Sequence, residues 1–530
     1  MCIAVYAAAP RPHRGVARCL LSLSYLSELL SRNLQKISSG KLQLRHKYTQ
    51  KNTTFADMKV TQKIFFVEAA VFIALILLST YHFALCDAAT IVAGFTVAYL
   101  VPRIAYSRMS TCSGVGVAAL AWAWMVTGVL GINYIAQTTV NVGKPLSDPA
   151  LWHDAARYYN YALQIFHHQN TGNAADPFPG LPLATVLLWK VFGINIVPPL
   201  AMNMMLTLAT IVLTGRLATV LLEGRTSLSN QQTASMAMAM NALLFFFLSH
   251  GTQLLKEPLV YFGVMLCALA LASLNRIAHT RLAWRIIALF ALGMLVVAAA
   301  RTTYSAMMLM GVLLVGCGNR RQWRNALAML ALGAIIYITI SEFGHSISFR
   351  FYDMYFDAEK SAQVSNQYIV GDCQKPLANI VGDYFALSFW RKLLLLPLLC
   401  AVQFVIPFPW LMTDVTLGEL VPRIALPWYA IGGLTLFYLG WMSWRKNTSL
   451  GTYPLWVAFC FAVPAFTAAG SVSRYMLPFQ PLMVPMAIFA VAMLREHNYR
   501  KIFTIFAIAY TLLLAVTLVA CYYVQSACMQ

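Results

Sequence analysis

Apolar runs of about twenty residues recur along most of this chain, the length that lets a helix cross about 30 Å of hydrocarbon. Charged residues make up only 11% of the sequence, whereas a soluble domain has about a quarter. The short alternating strands of a closed barrel are absent from the sequence pattern. We therefore predict an all-α fold, a polytopic bundle of transmembrane helices.

The hydropathy pattern predicts about thirteen spans, together with two apolar pieces that prolines interrupt. In chain order the predicted spans lie near 64–85, 88–105, 114–135, 198–222, 233–250, 258–275, 284–300, 302–318, 324–341, 424–443, 452–470, 475–494 and 501–524. The interrupted pieces, 180–196 and 392–411, are expected to be short spans or re-entrant helices, and the orientation below requires that they do not both change sides.

The formal net charge of +20 fits the loops of a membrane protein better than a nucleic-acid surface. Lys and Arg are concentrated in short segments between the apolar runs, where the positive-inside rule places them in the cytoplasm. The remaining loops, which include 136–179, 250–257 and 342–391, then fall outside. We expect no nucleic-acid partner, and we expect an integral protein of a bacterial inner (plasma) membrane whose active site faces the periplasm or exterior.

Two domains are expected from composition. Residues 1–57 are basic and contain no run long enough to span, so they are interpreted as a disordered cytoplasmic arm or as an over-extended gene start. Residues 58–530 form the predicted membrane domain. The eleven cysteines include no CxxC pair, so neither a zinc site nor a disulfide scaffold is indicated. Cys373, in a polar loop, is the exposed candidate for oxidation.

The first large outer loop contains Asp154 and Tyr158, which stand four residues apart and share one face of a helix. This helix is predicted to run from Pro149 onward, with Ser147 or Asp148 as its N-cap. Its aromatic residues also suit an interfacial belt whose charges simply face water. We favour a functional interpretation because ionisable groups at a membrane edge are costly.

Basic residues mark three other outer positions. Lys256 and Glu257 immediately precede a proline that suits the first turn of the next span. Arg301 interrupts an apolar stretch, and Arg474 with Tyr475 opens a later span in the same manner. A guanidinium at a tight outer turn can hold phosphate through two hydrogen bonds, whereas an idle arginine is disfavoured on the outer face.

The order of these features resembles the GT-C superfamily of membrane glycosyltransferases, which use polyprenyl-phosphate sugars. The resemblance covers about residues 110 to 495 and includes a Pro-rich helix from Pro179 to Gly193 and an Asn- and Arg-bearing span (Asn203, Arg216). The chain departs from the family in having more than one predicted span before the loop, where members often have one, in having one Asp where many members have an acidic pair, and in the expected lack of a soluble carboxy-terminal domain.

The resemblance implies that Asp154 is the catalytic base or a metal ligand, and that Lys256, Arg301 and Arg474 hold the lipid-linked phosphate. It implies a polyprenyl-phosphate sugar donor, a glycan, lipid or protein acceptor, and contact with membrane lipids. Tyr158, Glu257 and Tyr475 are predicted to bind substrate as well. No metal motif is present in the sequence, and a divalent cation, Mg²⁺ or Mn²⁺, is left open as a cofactor.

Two other classes of protein stay open at this stage. An O-antigen-type polysaccharide polymerase or ligase would also have outer arginines and a large outer loop, and it would depend on Arg350 more than on Asp154. A lipid-linked sugar flippase would be expected to contain inverted repeats and charges at mid-membrane, and neither is evident in the sequence.

Overall fold

The computed structural model describes residues 64–151, 153–168, 180–274, 283–316, 322–343, 387–403, 452–467, 475–496 and 508. The chain separates into two compact units, Met1–Phe66 and Val67–Gln530, and the described part of the first is 64–66. The predicted arm 1–57, the span 424–443, Arg474 and nearly all of the loop 342–391 lie outside the described residues, as does the span 501–524 apart from Ile508.

The described part of the chain is helical and contains no strand. The helices are α1 (Ile64–His82), α2 (Leu85–Ser107), α3 (Gly114–Thr138), α4 (His153–Phe166), α5 (Gly180–Phe192), α6 (Val197–Leu222), α7 (Asn230–Ala242), α8 (Phe245–His250), α9 (Glu257–Leu274), α10 (Trp284–Ala300), α11 (Thr302–Gly311), α12 (Trp323–Phe343), α13 (Phe389–Gln403), α14 (Thr452–Thr467) and α15 (Gln480–Glu496). A 3-10 turn, Leu477–Phe479, leads into α15.

Six of the described helices are long and apolar enough to cross a membrane: α1, α2, α3, α6, α9 and α12. Five more are apolar but shorter, and they include α5, α10 and α11. The helical, membrane-type fold expected from the sequence is thus found, while the total of about thirteen spans stays a prediction. The described parts of the proline-interrupted pieces contain α5 and α13, helices of 13 and 15 residues, and 404–411 lies outside the described residues.

One predicted span is two helices. The run 233–250 is divided between α7 and α8 at Leu244, whose backbone (φ −81°, ψ 77°) leaves the helical region. Just before the break, the buried Asn241 side chain donates a hydrogen bond to Thr214 Oγ1 of α6 at 2.9 Å. Thr214 lies 27 residues before Asn241 in the chain, so the hydropathy of the run 233–250 does not predict this contact.

The amphipathic helix of the first outer loop begins later than the sequence predicts. It starts at His153, and neither Ser147 nor Asp148 caps it. The preceding segment is held away from helical geometry because Ala150 N–H donates to Thr138 O (2.7 Å) and Ile196 N–H donates to Leu146 O (3.0 Å). Asp148 instead pairs with Lys144 at 2.6 Å on the exposed side of the loop.

The core of the bundle lies where α6, α9 and α10 pack side by side. Glycines allow α9 and α10 to approach closely, since a Cβ built on Gly263 would meet Gly293 O at 3.0 Å. A Cβ on Gly293 would in turn lie 2.7 Å from Cys267 Sγ. Small residues at such contacts are how helices pack tightly in a membrane, where no hydrophobic force drives them together.

Gly293→Leu is therefore expected to destabilise the protein by about 1–3 kcal/mol, because the larger side chain overpacks the α9–α10 contact. The melting temperature in detergent should fall. Leu292→Ala is the matched control, because Leu292 is 50% exposed on the same helix and should change the melting temperature little. Equal melting of Gly293→Leu and the native protein would contradict the packing.

Candidate functional site

Helix α4 supplies the first wall of the candidate site. Ala155, Tyr158, Tyr159 and Ala162 are all buried, and their spacing places them on one face of the helix. Burial, reinforced by the charge of Asp148, raises the pKa of Tyr159, so its hydroxyl stays protonated and donates to Ser147 O at 2.7 Å. The burial of this face determines how α4 is rotated about its own axis.

Asp154 lies at the start of α4 and is partly exposed. Arg157 Nη2 stands 3.7 Å from Asp154 Oδ1, and the Arg157 guanidinium lies 5.4 Å from the centre of the Tyr158 ring. Sequence reasoning missed Arg157, although its spacing of three residues from Asp154 is the signal that could have found it. A carboxylate is thus held at the surface of α4 beside a buried tyrosine.

The turn that precedes α9 supplies the second wall. Lys256 is 7% exposed and Glu257 is 4% exposed, so both charges are covered by protein. Lys256 Nζ lies 5.5 Å from the centre of the Tyr158 ring, a cation–π distance. Pro258 occupies the second position of α9, as the sequence predicts, where its missing N–H costs nothing.

Asn203 of α6 holds this turn in place. Its Nδ2 donates to both Gln253 O and Leu255 O, each at 2.8 Å, and the side chain is fully buried. The two carbonyl groups belong to the three residues before Lys256, so their position fixes where the lysine enters the site. In the sequence Asn203 is only a marker of family order, because its contact with the turn before Lys256 joins residues 50 positions apart in the chain.

Asn203→Leu is expected to remove the amide donor from two carbonyl groups, of which Gln253 O keeps the hydrogen bond from Leu255 N–H, at a cost of about 1–3 kcal/mol in stability. Lys256 would also lose its fixed position. We therefore expect weaker binding of an anionic lipid at temperatures well below unfolding. A purely structural residue would not produce this change. Melting and lipid-phosphate titration measure the two effects. Thr210→Val, on the same helix, is the control and should leave lipid binding unchanged; equally tight binding by Asn203→Leu would contradict the positioning role.

Arg301 is the single non-helical residue between α10 and α11, with an extended backbone (φ −164°, ψ 96°). Its guanidinium lies 4.0 Å from the centre of the Tyr475 ring and 5.0 Å from that of Tyr304. Arg301 Nη1 donates to the Tyr304 hydroxyl at 3.4 Å, and that hydroxyl donates to Tyr475 O at 2.8 Å. Tyr304 was missed by sequence reasoning because nothing in its spacing points to residue 475.

The break at Arg301 is linked to the start of α9 and to the start of α5. The Glu257 carboxylate acts electrostatically on the Arg301 guanidinium. Gly180, the first residue of α5, packs against the end of α10 so closely that a Cβ there would lie 2.7 Å from Ala299 O. The glycine is thus needed for the close approach of α5 to this break.

The structure therefore brings six predicted site residues into one connected group: Asp154, Tyr158, Lys256, Glu257, Arg301 and Tyr475. Arg474 lies outside the described residues. Among the described residues, no cluster of three His, Cys, Asp or Glu side chains forms a metal centre. The group combines lysine and arginine cations with aromatic rings, which is chemistry suited to an anionic organic ligand.

This chain has only low similarity to known proteins. No family model matches the chain, and no curated protein matches it. A solved structure of the archaeal oligosaccharyltransferase AglB from Archaeoglobus fulgidus, in complex with an inhibitory peptide and a dolichol-phosphate, is similar with 16% identity and a TM-score of 0.38. The apo form of the oligosaccharyltransferase from the same organism is similar with 15% identity and a TM-score of 0.41.

Both alignments cover 77% of this chain, but they cover 55% and 56% of the oligosaccharyltransferase chains, so this chain spans just over half of their length. At TM-scores of this size the likeness assigns neither a fold nor a function to this chain.

Proposed function

We propose that this chain is an integral membrane glycosyltransferase. In this proposal it moves a sugar from a polyprenyl-phosphate donor to a glycan, lipid or protein acceptor on the non-cytoplasmic face. The observation that carries the proposal is the contact between Lys256 and the Tyr158 ring, because it places the helix that bears Asp154 against a buried cation. A carboxylate and a phosphate-binding group are the two parts that such a transfer requires.

The phosphate side of the reaction rests on Lys256 and Arg301. Lys256 lies just before α9, Arg301 lies between α10 and α11, and the Glu257 carboxylate acts on the Arg301 guanidinium. Two cations at one site favour the binding of an anionic group of a ligand. Arg474, next to Tyr475 in the chain, would add a third cation.

The acceptor side rests on Asp154. As an acceptor hydroxyl attacks the anomeric carbon, Asp154 takes its proton and a new carbon–oxygen bond forms. The bond between the anomeric carbon and the phosphate oxygen breaks, and its electron pair leaves with the lipid phosphate. Lys256 and Arg301 stabilise the charge that grows on this leaving group.

A polysaccharide polymerase or ligase would share the cations but would not need the carboxylate of Asp154. Arg350, on which that alternative depends, lies outside the described residues. A flippase would bind the lipid-linked sugar without breaking a covalent bond. Asp154 precedes Tyr158 by about one helical turn, and Lys256 contacts the Tyr158 ring; this proximity supports the transferase.

Purified protein in lipid nanodiscs, supplied with a radiolabelled polyprenyl-phosphate sugar and candidate acceptors, provides the test. We expect the label to move from the lipid fraction to the acceptor, with one polyprenyl phosphate released for each sugar transferred. Tight donor binding with no transfer to any acceptor would favour a flippase. Transfer that Asp154→Asn leaves intact would favour the polymerase or ligase.

A further inference from the structure

Three described helices begin with a buried polar side chain whose oxygen has no hydrogen-bond partner among the described residues. These oxygens are Glu257 Oε2 at the start of α9, Thr302 Oγ1 at the start of α11 and Gln480 Oε1 at the start of α15. Their residues are 4%, 0% and 6% exposed. A buried polar group without a partner is destabilising, so these three groups are suited to form hydrogen bonds with a ligand.

The three helix starts belong to one place in the bundle, the break at Arg301. Thr302 is its immediate neighbour in the chain, and the Glu257 carboxylate acts on its guanidinium. Gln480 follows the segment in which Tyr475 lies 4.0 Å from Arg301 and Phe479 lies 5.1 Å from Tyr304, centre to centre. The 3-10 turn before Gln480 also packs against α9.

The chemistry of this set selects among ligands. A metal cation is disfavoured, since Lys256 and Arg301 already bring positive charge to the site. A second phosphate is disfavoured by the Glu257 carboxylate. A neutral group with several hydroxyls fits, because hydroxyls can donate to the carboxylate and amide oxygens and can also accept from the threonine hydroxyl.

We infer that Glu257, Thr302 and Gln480 form the subsite for the hydroxyls of the transferred sugar, next to the cations that hold its phosphate. This inference rests on the proposed function. It assigns Glu257 a specificity role, rather than the general substrate contact expected from the sequence. It also predicts that the sugar contributes binding free energy beyond that of the lipid phosphate.

The test compares binding of a polyprenyl-phosphate hexose with binding of the same polyprenyl phosphate without sugar, both titrated into protein in nanodiscs. The native protein should bind the glycosylated lipid more tightly. Thr302→Val and Gln480→Met should each lose about tenfold in affinity for the glycosylated lipid, since each removes one hydrogen-bonding group. Their affinity for the bare lipid phosphate should stay within about twofold.

Glu257→Gln is expected to weaken binding of the glycosylated lipid without weakening binding of the bare lipid phosphate. Binding of the glycosylated lipid should weaken, because the charge-assisted hydrogen bond to a sugar hydroxyl is lost. Binding of bare lipid phosphate should stay equal or tighten, because Arg301 loses a competing carboxylate. A merely structural role for Glu257 would weaken both together, and that result would overturn the subsite.

Thr210→Val is the matched control, since Thr210 is fully buried and its hydroxyl is already satisfied by Leu206 O at 2.8 Å. Equal affinity of the native protein for the two lipids, or unchanged sugar-lipid binding in both Thr302→Val and Gln480→Met, would overturn the inference and leave the proposed function standing. Failure of the native protein to bind either lipid would instead overturn the proposed function.

Discussion

Asp154→Asn is expected to lower sugar transfer by about a thousandfold at saturating donor, within the range of 10²–10⁴ that a positioned general base contributes. The amide has the same shape but cannot take the proton of the acceptor hydroxyl. Asp154 lies at the surface of α4 and is only partly buried, so the fold should be unaffected. Turnover and donor affinity, measured on the same preparation, separate the effects on chemistry and binding.

Asp148→Asn is the control for this prediction. Asp148 belongs to the same loop, but its carboxylate is exposed and pairs with Lys144 at 2.6 Å. Its turnover should stay within about twofold of native, since exposed ion pairs contribute little. Native turnover in Asp154→Asn would remove Asp154 from the reaction and favour a polymerase or ligase.

Arg301→Ala is expected to weaken donor binding by about 10- to 100-fold, the equivalent of a lost charge-assisted hydrogen bond to phosphate. Bare polyprenyl phosphate should lose affinity to the same degree, because the guanidinium acts on the phosphate and not on the sugar. Arg301→Lys keeps the charge but not the planar fork, so its affinity should be intermediate. Titration of both lipids into the variants measures these effects.

The matched control is Arg285→Ala. It removes an exposed arginine from the first turn of α10, the helix that ends just before Arg301. It should bind both lipids as the native protein does. Melting of Arg301→Ala must also be measured, since the guanidinium packs on Tyr304 and Tyr475. A folded Arg301→Ala variant that binds lipid phosphate with native affinity would contradict the phosphate role.

The sequence predicts those parts of this structure that depend on local patterns. Apolar run length indicates the helical membrane fold, and the single arginine in an apolar stretch marks the break between α10 and α11. The four-residue spacing of Asp154 and Tyr158 places them on one helix, and Pro258 marks the start of α9. Each of these features depends on neighbours within one or two helical turns.

Features that depend on distant residues could not be predicted in this way. The late start of α4 results from hydrogen bonds of Ala150 and Leu146 with other segments, and backbone groups carry no sequence signal for such pairing. The hydrogen bond from Tyr304 to Tyr475 spans 171 residues. Asn203 lies in an apolar helix like many buried polar residues, and only the packing shows that it holds the turn before Lys256.

A photoreactive donor tests the central claim most directly, namely that α4, the start of α9 and the break at Arg301 form one site for a lipid-linked sugar. The probe is a polyprenyl-phosphate sugar with a diazirine on the first isoprene unit, next to the phosphate. After irradiation of protein in nanodiscs, we expect the modified peptides to contain Lys256–Glu257 or Arg301–Tyr304, and unlabelled donor should compete. Labelling confined to the segment between α2 and α3, or labelling that donor does not displace, would contradict the account.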